Sequence, residues 1–250
     1  MRVIRPRAIS AAERRRSLLL AGSMLAVGIA AGGLALVTSS ARLTGLLAIV
    51  AALGLGIGGA WLIRVTRPNR SRRLAGAMAD VLATTFDDSY TLLVSPRLPI
   101  RDTERLDGIL VGPGGVRILT ARDWHGRYRV RGRTWEFDTR GGRGWIRCRT
   151  NPSFDATALR SGFIRWAADR GFRDLPLQAA VAFPMSQTRV VLEEPEDEIV
   201  TADNAPWWAN SIGRVRRLDE AMGAQLASAV IEEAEQYARQ ARILAVERSR

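Results

Sequence analysis

Two unbroken apolar runs dominate the N-terminal part of the chain. Residues 17–37 carry no charge, and neither do residues 43–63. Wound as helices at about 1.5 Å per residue, each covers about 30 Å, the hydrocarbon depth of a bilayer. Only residues 38–42 join them, so the spacing predicts an antiparallel transmembrane hairpin over 17–64, with spans 17–37 and 43–63. Beyond it the period changes. Leu74, Met78, Val81 and Leu82 share one face of a helix expected over 71–86, and 90–94 reads as a short strand. Residues 96–104 read as a polar loop. The apolar runs 106–111 and 116–121 flank Gly112-Pro113-Gly114-Gly115, a hairpin signature. Strands follow at 128–130, 134–137 and 145–149, then a helix over 154–170 and a buried strand over 177–183. The acidic stretch 193–198 reads as a solvated, solubilising loop ending in a strand at Ile199 and Val200. Leu218, Met222, Leu226, Val230, Ala234 and Tyr237 recur at helical spacing, which predicts a long amphipathic C-terminal helix with Trp207 and Trp208 packed beneath it. Strands between helices give an α/β domain.

Charge orients the hairpin. Arg2, Arg5, Arg7, Arg14, Arg15 and Arg16 precede the first span, and Arg64, Arg67, Arg70, Arg72 and Arg73 follow the second; Arg42 alone lies between. The bias of basic residues toward the inner side places both outer ends in the cytoplasm, with the lipid bilayer as partner. The expected organisation is a basic cytoplasmic tail (1–16), the hairpin, a domain over 71–215 and the C-terminal helix over 216–250. Gly28 with Gly32 and Gly54 with Gly58 form GxxxG spacings that let helix backbones approach, and Trp61 suits an interface. A cleaved signal peptide would have a shorter apolar core and no second span. Residues 1–75 hold 12 arginines against Glu13 alone, so most of the overall +12 belongs to the membrane flanks and the remainder is close to neutral. Basic balance by itself therefore does not argue for nucleic acid.

The chain contains no lysine, one cysteine (Cys148) and one histidine (His125). Lysine-dependent steps, an intramolecular disulfide and a Cys/His zinc cluster are excluded. Cys148 lies between Arg147 and Arg149, which would lower its pKa, but strand alternation turns it inward as a small hydrophobe. His125 has no Ser or Cys in a nucleophile motif before it and reads as a loop histidine.

The segment Leu106-Asp107-Gly108-Ile109-Leu110-Val111-Gly112-Pro113-Gly114-Gly115-Val116, followed by Ile118-Leu119-Thr120-Ala121-Arg122-Asp123-Trp124-His125-Gly126, resembles the NERD (nuclease-related) domain family. Asn151-Pro152 before a helix and Ala180-Val181-Ala182-Phe183 closing a strand stand where that family's pattern has Asn-Pro and a strand ending in Phe. The likeness runs over about 75–215. It implies a restriction-endonuclease-like mixed sheet flanked by helices, distantly related to PD-(D/E)XK nucleases, in which an Asp and a Glu-x-Lys pair serve a divalent metal, Mg²⁺ or Mn²⁺. Asp107 matches the Asp, whereas Thr120 occupies the Glu position and Arg122 the Lys position. A neutral hydroxyl supplies no carboxylate charge, and a fixed guanidinium repels a cation and favours an ion pair with Asp107. Asp123, proposed as a migrated ligand, is one residue out of phase and points to the opposite strand face unless a bulge intervenes.

Residues 117–149 hold ten arginines against Asp123, Glu136 and Asp138, interleaved with Trp124, Tyr128, Trp135, Phe137 and Trp145. Three readings fit: a single-stranded nucleic-acid platform through Arg129, Arg131 and Arg133, a surface for anionic lipid, or a plain solvated sheet face. The expectation is a membrane-anchored NERD-like domain with a degenerate nuclease site, binding nucleic acid or a protein partner at the inner face of a bacterial membrane. The alternatives are an active metal-dependent nuclease using Asp107 and a non-enzymatic membrane scaffold.

Overall fold

The computed structural model describes residues 1–5, 11–66, 70–100, 103–139, 144–214 and 217–247. Of the flanking arginines, Arg7 and Arg67 lie outside the described residues, as does the expected domain boundary at 215/216. The chain forms two compact units: Ile9–Asn69, and Met1–Ala8 together with Arg70–Arg250.

The first unit is the hairpin. β1 (Arg2–Ile4) precedes it in the chain, and α1 (Ala11–Val37) and α2 (Ala41–Thr66) form it. Over 17–37 and 41–63 the two helices are long and apolar enough to cross a membrane. A core helix of a soluble protein passes the same length test but buries its apolar side chains; here Leu36 is 90 % exposed, Leu19 72 % and Leu46 63 %. The two helices close on each other through glycine. A Cβ added to Gly28 would stand 2.8 Å from the Leu55 backbone nitrogen, and one on Gly54 would stand 2.8 Å from the Gly28 Cα, so only hydrogen fits at this crossing. A Cβ on Gly58 would stand 3.0 Å from Leu25, and Ala21 is buried in the same seam.

The second unit is the α/β domain. In chain order after β1 it contains α3 (Arg70–Ala83), β2 (Thr91–Val94), β3 (Arg97–Ile100), β4 (Thr103–Arg105), β5 (Gly108–Gly112), β6 (Gly115–Ala121), β7 (Gly126–Gly132), β8 (Thr134–Asp138), β9 (Trp145–Arg147), α4 (Pro152–Ala168), β10 (Leu177–Phe183), β11 (Thr188–Pro195), β12 (Glu198–Thr201), α5 (Ala205–Gly213) and α6 (Glu220–Glu247). A six-stranded mixed sheet runs in the order β1-β2-β5-β6-β10-β12, and a four-stranded sheet in the order β11-β7-β8-β9. β5 and β6 form the predicted hairpin: Gly112 pairs with Gly115, leaving Pro113-Gly114 at the turn. Gly115 has φ +108°, a conformation open to glycine, and a Cβ on Gly112 would run into the Tyr90 ring.

Every residue of β5 and β6 is buried because helices cover both faces of these central strands. On one face Leu74, Met78 and Leu82 of α3 pack against Leu110, Leu119, Ala180 and Ala182. On the other, Phe163 and Trp166 of α4 and Leu226 and Val230 of α6 pack against Ile109, Val111, Val116 and Ile118. The four-stranded sheet buries Val130 and Trp135 against Val181, Phe183 and Ile199.

Five expectations change. The tail is not uniformly a tail, since Arg2–Ile4 pairs in parallel with β2 as the edge of the large sheet. The loop expected over 96–104 contains the small hairpin β3-β4, which buries Leu98 and Ile100. The acidic stretch is largely strand: β11 lies in register beside β7, and its Glu193 faces Arg129 and Arg131. Trp208 packs edge-on against Phe86 on the α3 side rather than under α6, and Trp207 is 71 % exposed. The C-terminal helix belongs to the domain core through Leu226 and Val230.

Candidate functional site

The end of β6 distributes its side chains between the two faces of the large sheet. Alternation sends Thr120 and Arg122 to the face covered by α4, and Arg122 forms an ion pair with Asp155 on that helix. Asn151 caps α4 by accepting from the Ser153 backbone N–H at 3.0 Å, with Pro152 in its first turn, which fixes where Asp155 stands. Asp107 immediately precedes β5, and its Oδ2 accepts the Ala121 backbone N–H at 2.9 Å. The expected Asp107–Arg122 pair is therefore replaced by Arg122–Asp155. Thr120 is 1 % exposed, and its hydroxyl has no hydrogen-bond partner among the described residues. Ser95, which the sequence did not mark, donates its backbone N–H to the Asp107 carbonyl at 2.9 Å from a left-handed conformation, φ 51°. Its buried hydroxyl is also unpartnered among the described residues.

This donor set does not fit the divalent metal of the resembling family. One Asp107 oxygen already serves a backbone amide, the Glu position is a buried neutral hydroxyl, and a guanidinium stands at the Lys position. Among the described residues no three His, Cys, Asp or Glu side chains gather as a metal would require.

Asp123 behaves as its phase predicts and leaves for the α3 side. It lines a cleft of about 260 Å³ with Arg73 and Leu74 of α3, His125, Met185 and Gln187. The segment carrying it is stiff. Between Asp123 and His125 the Trp124 ring turns inward against Tyr128 (4.7 Å between centroids), Trp135 and Phe183. The Arg122 N–H donates to the Ala182 carbonyl and the Gly126 N–H to the Gln187 carbonyl. The Thr188 hydroxyl donates to the Trp124 carbonyl, and the Tyr128 hydroxyl to the His125 carbonyl at 3.1 Å. His125 Nδ1 lies 3.9 Å from Asp123.

The outer face of the four-stranded sheet holds the arginines. Arg129 Nε donates to Glu136 at 2.8 Å, Arg131 lies 2.8 Å from Glu193, and Arg133 lies 2.9 Å from Glu196. Each of the three arginines expected to meet phosphate thus has a carboxylate of its own. Arg127 and Arg129 also sit over the Trp145 ring, at 5.7 and 4.6 Å from its centroid. Arg147, Arg149 and Arg189 are exposed and have no carboxylate at ion-pair distance among the described residues. Register places Arg189 beside Arg127 and Arg147 opposite Glu136. Cys148 turns the other way and packs against the Val130 and Trp135 cluster, where burial first, and Glu136 second, push its thiol pKa up.

Comparison of the chain with models of known families, with curated proteins and with solved structures found no match.

Proposed function

We propose that this chain is a membrane-anchored, NERD-like binding module at the inner face of a bacterial membrane. In this reading it has given up nuclease chemistry and holds single-stranded nucleic acid on the outer face of its four-stranded sheet. The observation that carries the reading is Trp145, framed by the guanidiniums of Arg127 and Arg129, with the exposed arginines Arg147, Arg149 and Arg189 on and beside the same strands. A base stacks on such a platform while uncommitted guanidiniums meet phosphate. Support for the nuclease-like fold is the order of parts: Asp107, a glycine turn, the strand with Thr120 and Arg122, Asn151-Pro152 opening α4, and β10 ending at Phe183. Support for two crossings is that β1 and α3, which flank the hairpin in sequence, belong to one folded unit.

The test uses the full chain in maltoside micelles with a fluorescent single-stranded oligonucleotide. Binding should weaken as salt rises, and Arg147→Gln with Arg189→Gln should lower the log–log salt slope by about 1.4, at about 0.7 for each phosphate no longer neutralised. Arg131→Gln, whose guanidinium already has Glu193, should change it least. Retention that ignores salt, or the same slope in the double variant, would defeat the reading, as would capture of anionic vesicles in place of the oligonucleotide. Added Mn²⁺ should produce no cleavage, and cleavage lost in Asp107→Ala would restore the enzyme.

A further inference from the structure

The cleft between α3 and the loop after β6 has no part in the nucleic-acid reading, yet it gathers polar side chains from distant parts of the chain. Its walls come from three separate places in the chain: Arg73 and Leu74, Asp123 and His125, and Met185 with Gln187. At about 260 Å³ it accommodates a small polar group rather than a polymer. We infer that it is a binding site for a phosphate-bearing small group, held by the Arg73 guanidinium, the His125 imidazole and the Gln187 amide.

Preorganisation separates this cleft from a chance dent. Trp124 is clamped among Tyr128, Trp135 and Phe183, so the residues on either side of it are held facing out. Four hydrogen bonds fix the 122–126 backbone to β7, to β10, to the turn before β11 and to the first residue of β11. Gly126, where the loop enters β7, has φ +108° and lies so close to the Phe137 ring that a Cβ there would stand 3.0 Å from it. With its backbone held this way, the 122–126 segment needs little further ordering when a ligand arrives. The His125 ring is 61 % exposed at the cleft, where a ring N–H can donate to a phosphate oxygen. Arg73 supplies the fixed positive charge and the planar donor pair that suits phosphate oxygens. The shared chemistry is a phosphate oxyanion, whether on a free monoester or on a lipid headgroup.

The single histidine makes the test direct, because labelling histidine gives one imidazole signal from the full chain. In maltoside micelles, which contain no phosphate, glycerol 3-phosphate is titrated in one arm and short-chain phosphatidylglycerol in the other. The His125 ring signals should shift and saturate, with Kd at or below about 1 mM for the preferred source. Arg73→Gln should raise that Kd at least tenfold while the remaining amide spectrum stays in place, and Asp123→Asn, which removes a like charge from the cleft, should lower it. The arm that saturates identifies the source. No shift in either arm, or an unchanged Kd in Arg73→Gln, overturns the site. Oligonucleotide binding through Arg147 and Arg189 would survive that outcome, since those residues lie on other elements.

Discussion

Two regions of this chain are almost equally apolar and are treated in opposite ways. In β5 and β6 every residue is buried, down to Arg117 and Thr120. In α1 and α2 large aliphatic side chains stand open, and among the described residues those fully buried are the small ones of one seam. Water drives the first arrangement, because each strand must hide two faces. The second suits the proposed bilayer: with hydrocarbon outside, burying leucine would gain little, and close backbone approach at glycine would decide which faces meet. The domain should accordingly be sensitive to loss of volume, and the hairpin to its gain.

The largest effect should come from emptying the core of the small sheet. Trp135 is fully buried, packs against Trp124 and Phe183, and donates its Nε1 hydrogen to the Ser153 hydroxyl at 3.0 Å. Trp135→Ala should cost about 3–5 kcal/mol, read as loss of the domain's near-ultraviolet dichroism at lower temperature while hairpin helicity persists. Loss of both signals together would mean the two units are not separable. Next is the polar exception within the apolar layer. Buried Arg117 donates to both Glu198 oxygens at 3.0 Å and to the Gly114 carbonyl at 2.9 Å, while Trp208 donates to the same carboxylate. Glu198→Ala strands that guanidinium and should cost about 3 kcal/mol in denaturant unfolding, whereas a surface pair would cost less than about 1 kcal/mol.

The hairpin should answer to the opposite change. A Cβ on Gly32 would stand 3.7 Å from the Ala51 Cβ, which matches the usual disulfide spacing of about 3.8 Å. In a Cys148→Ala background, Gly32→Cys with Ala51→Cys should therefore oxidise readily. Adding Gly54→Leu, whose side chain has no room against Gly28, should suppress the crosslink by overpacking worth about 1–3 kcal/mol. Equal crosslinking with and without leucine would remove the glycine crossing from the account.

How much of this was legible depended on how far each signal reached along the chain. The two long apolar helices and the β5-β6 hairpin are long local patterns, and as elements they read correctly. So did the phase of β6: Arg122 reaches α4 while Asp123 reaches the α3 side. Arg2–Ile4 is too short to show a period, and its strand character comes wholly from pairing with β2. β11 was hidden by its acids, because the residue that explains Glu193 is Arg131, 62 positions earlier in the chain. No local pattern announces that Arg73 and Gln187 will close a cleft around Asp123 and His125, nor that Ser95 will sit at positive φ beside Asp107.

The smallest effect tests the same contrast between neighbours. Cys148 follows Arg147 and precedes Arg149, and by sequence alone the two guanidiniums would make it a reactive thiolate. In the fold alternation decides: the arginines face solvent, where water screens them, and the thiol packs beside Val130 and Trp135. Burial therefore raises its pKa, and Glu136 adds to the rise. The sign follows. Below the ordinary thiol range both folded and unfolded chains keep the proton, so pH does not act through this group. Above that range the unfolded chain ionises first, and stability falls as pH rises toward the folded pKa, a slope that Cys148→Ala should remove. At pH 7.5 alkylation by iodoacetamide should run several-fold slower than for a free thiol, and Arg147→Gln should leave the rate nearly unchanged. A thiol that reacted faster than free cysteine would place the guanidiniums, not the core, in control of it.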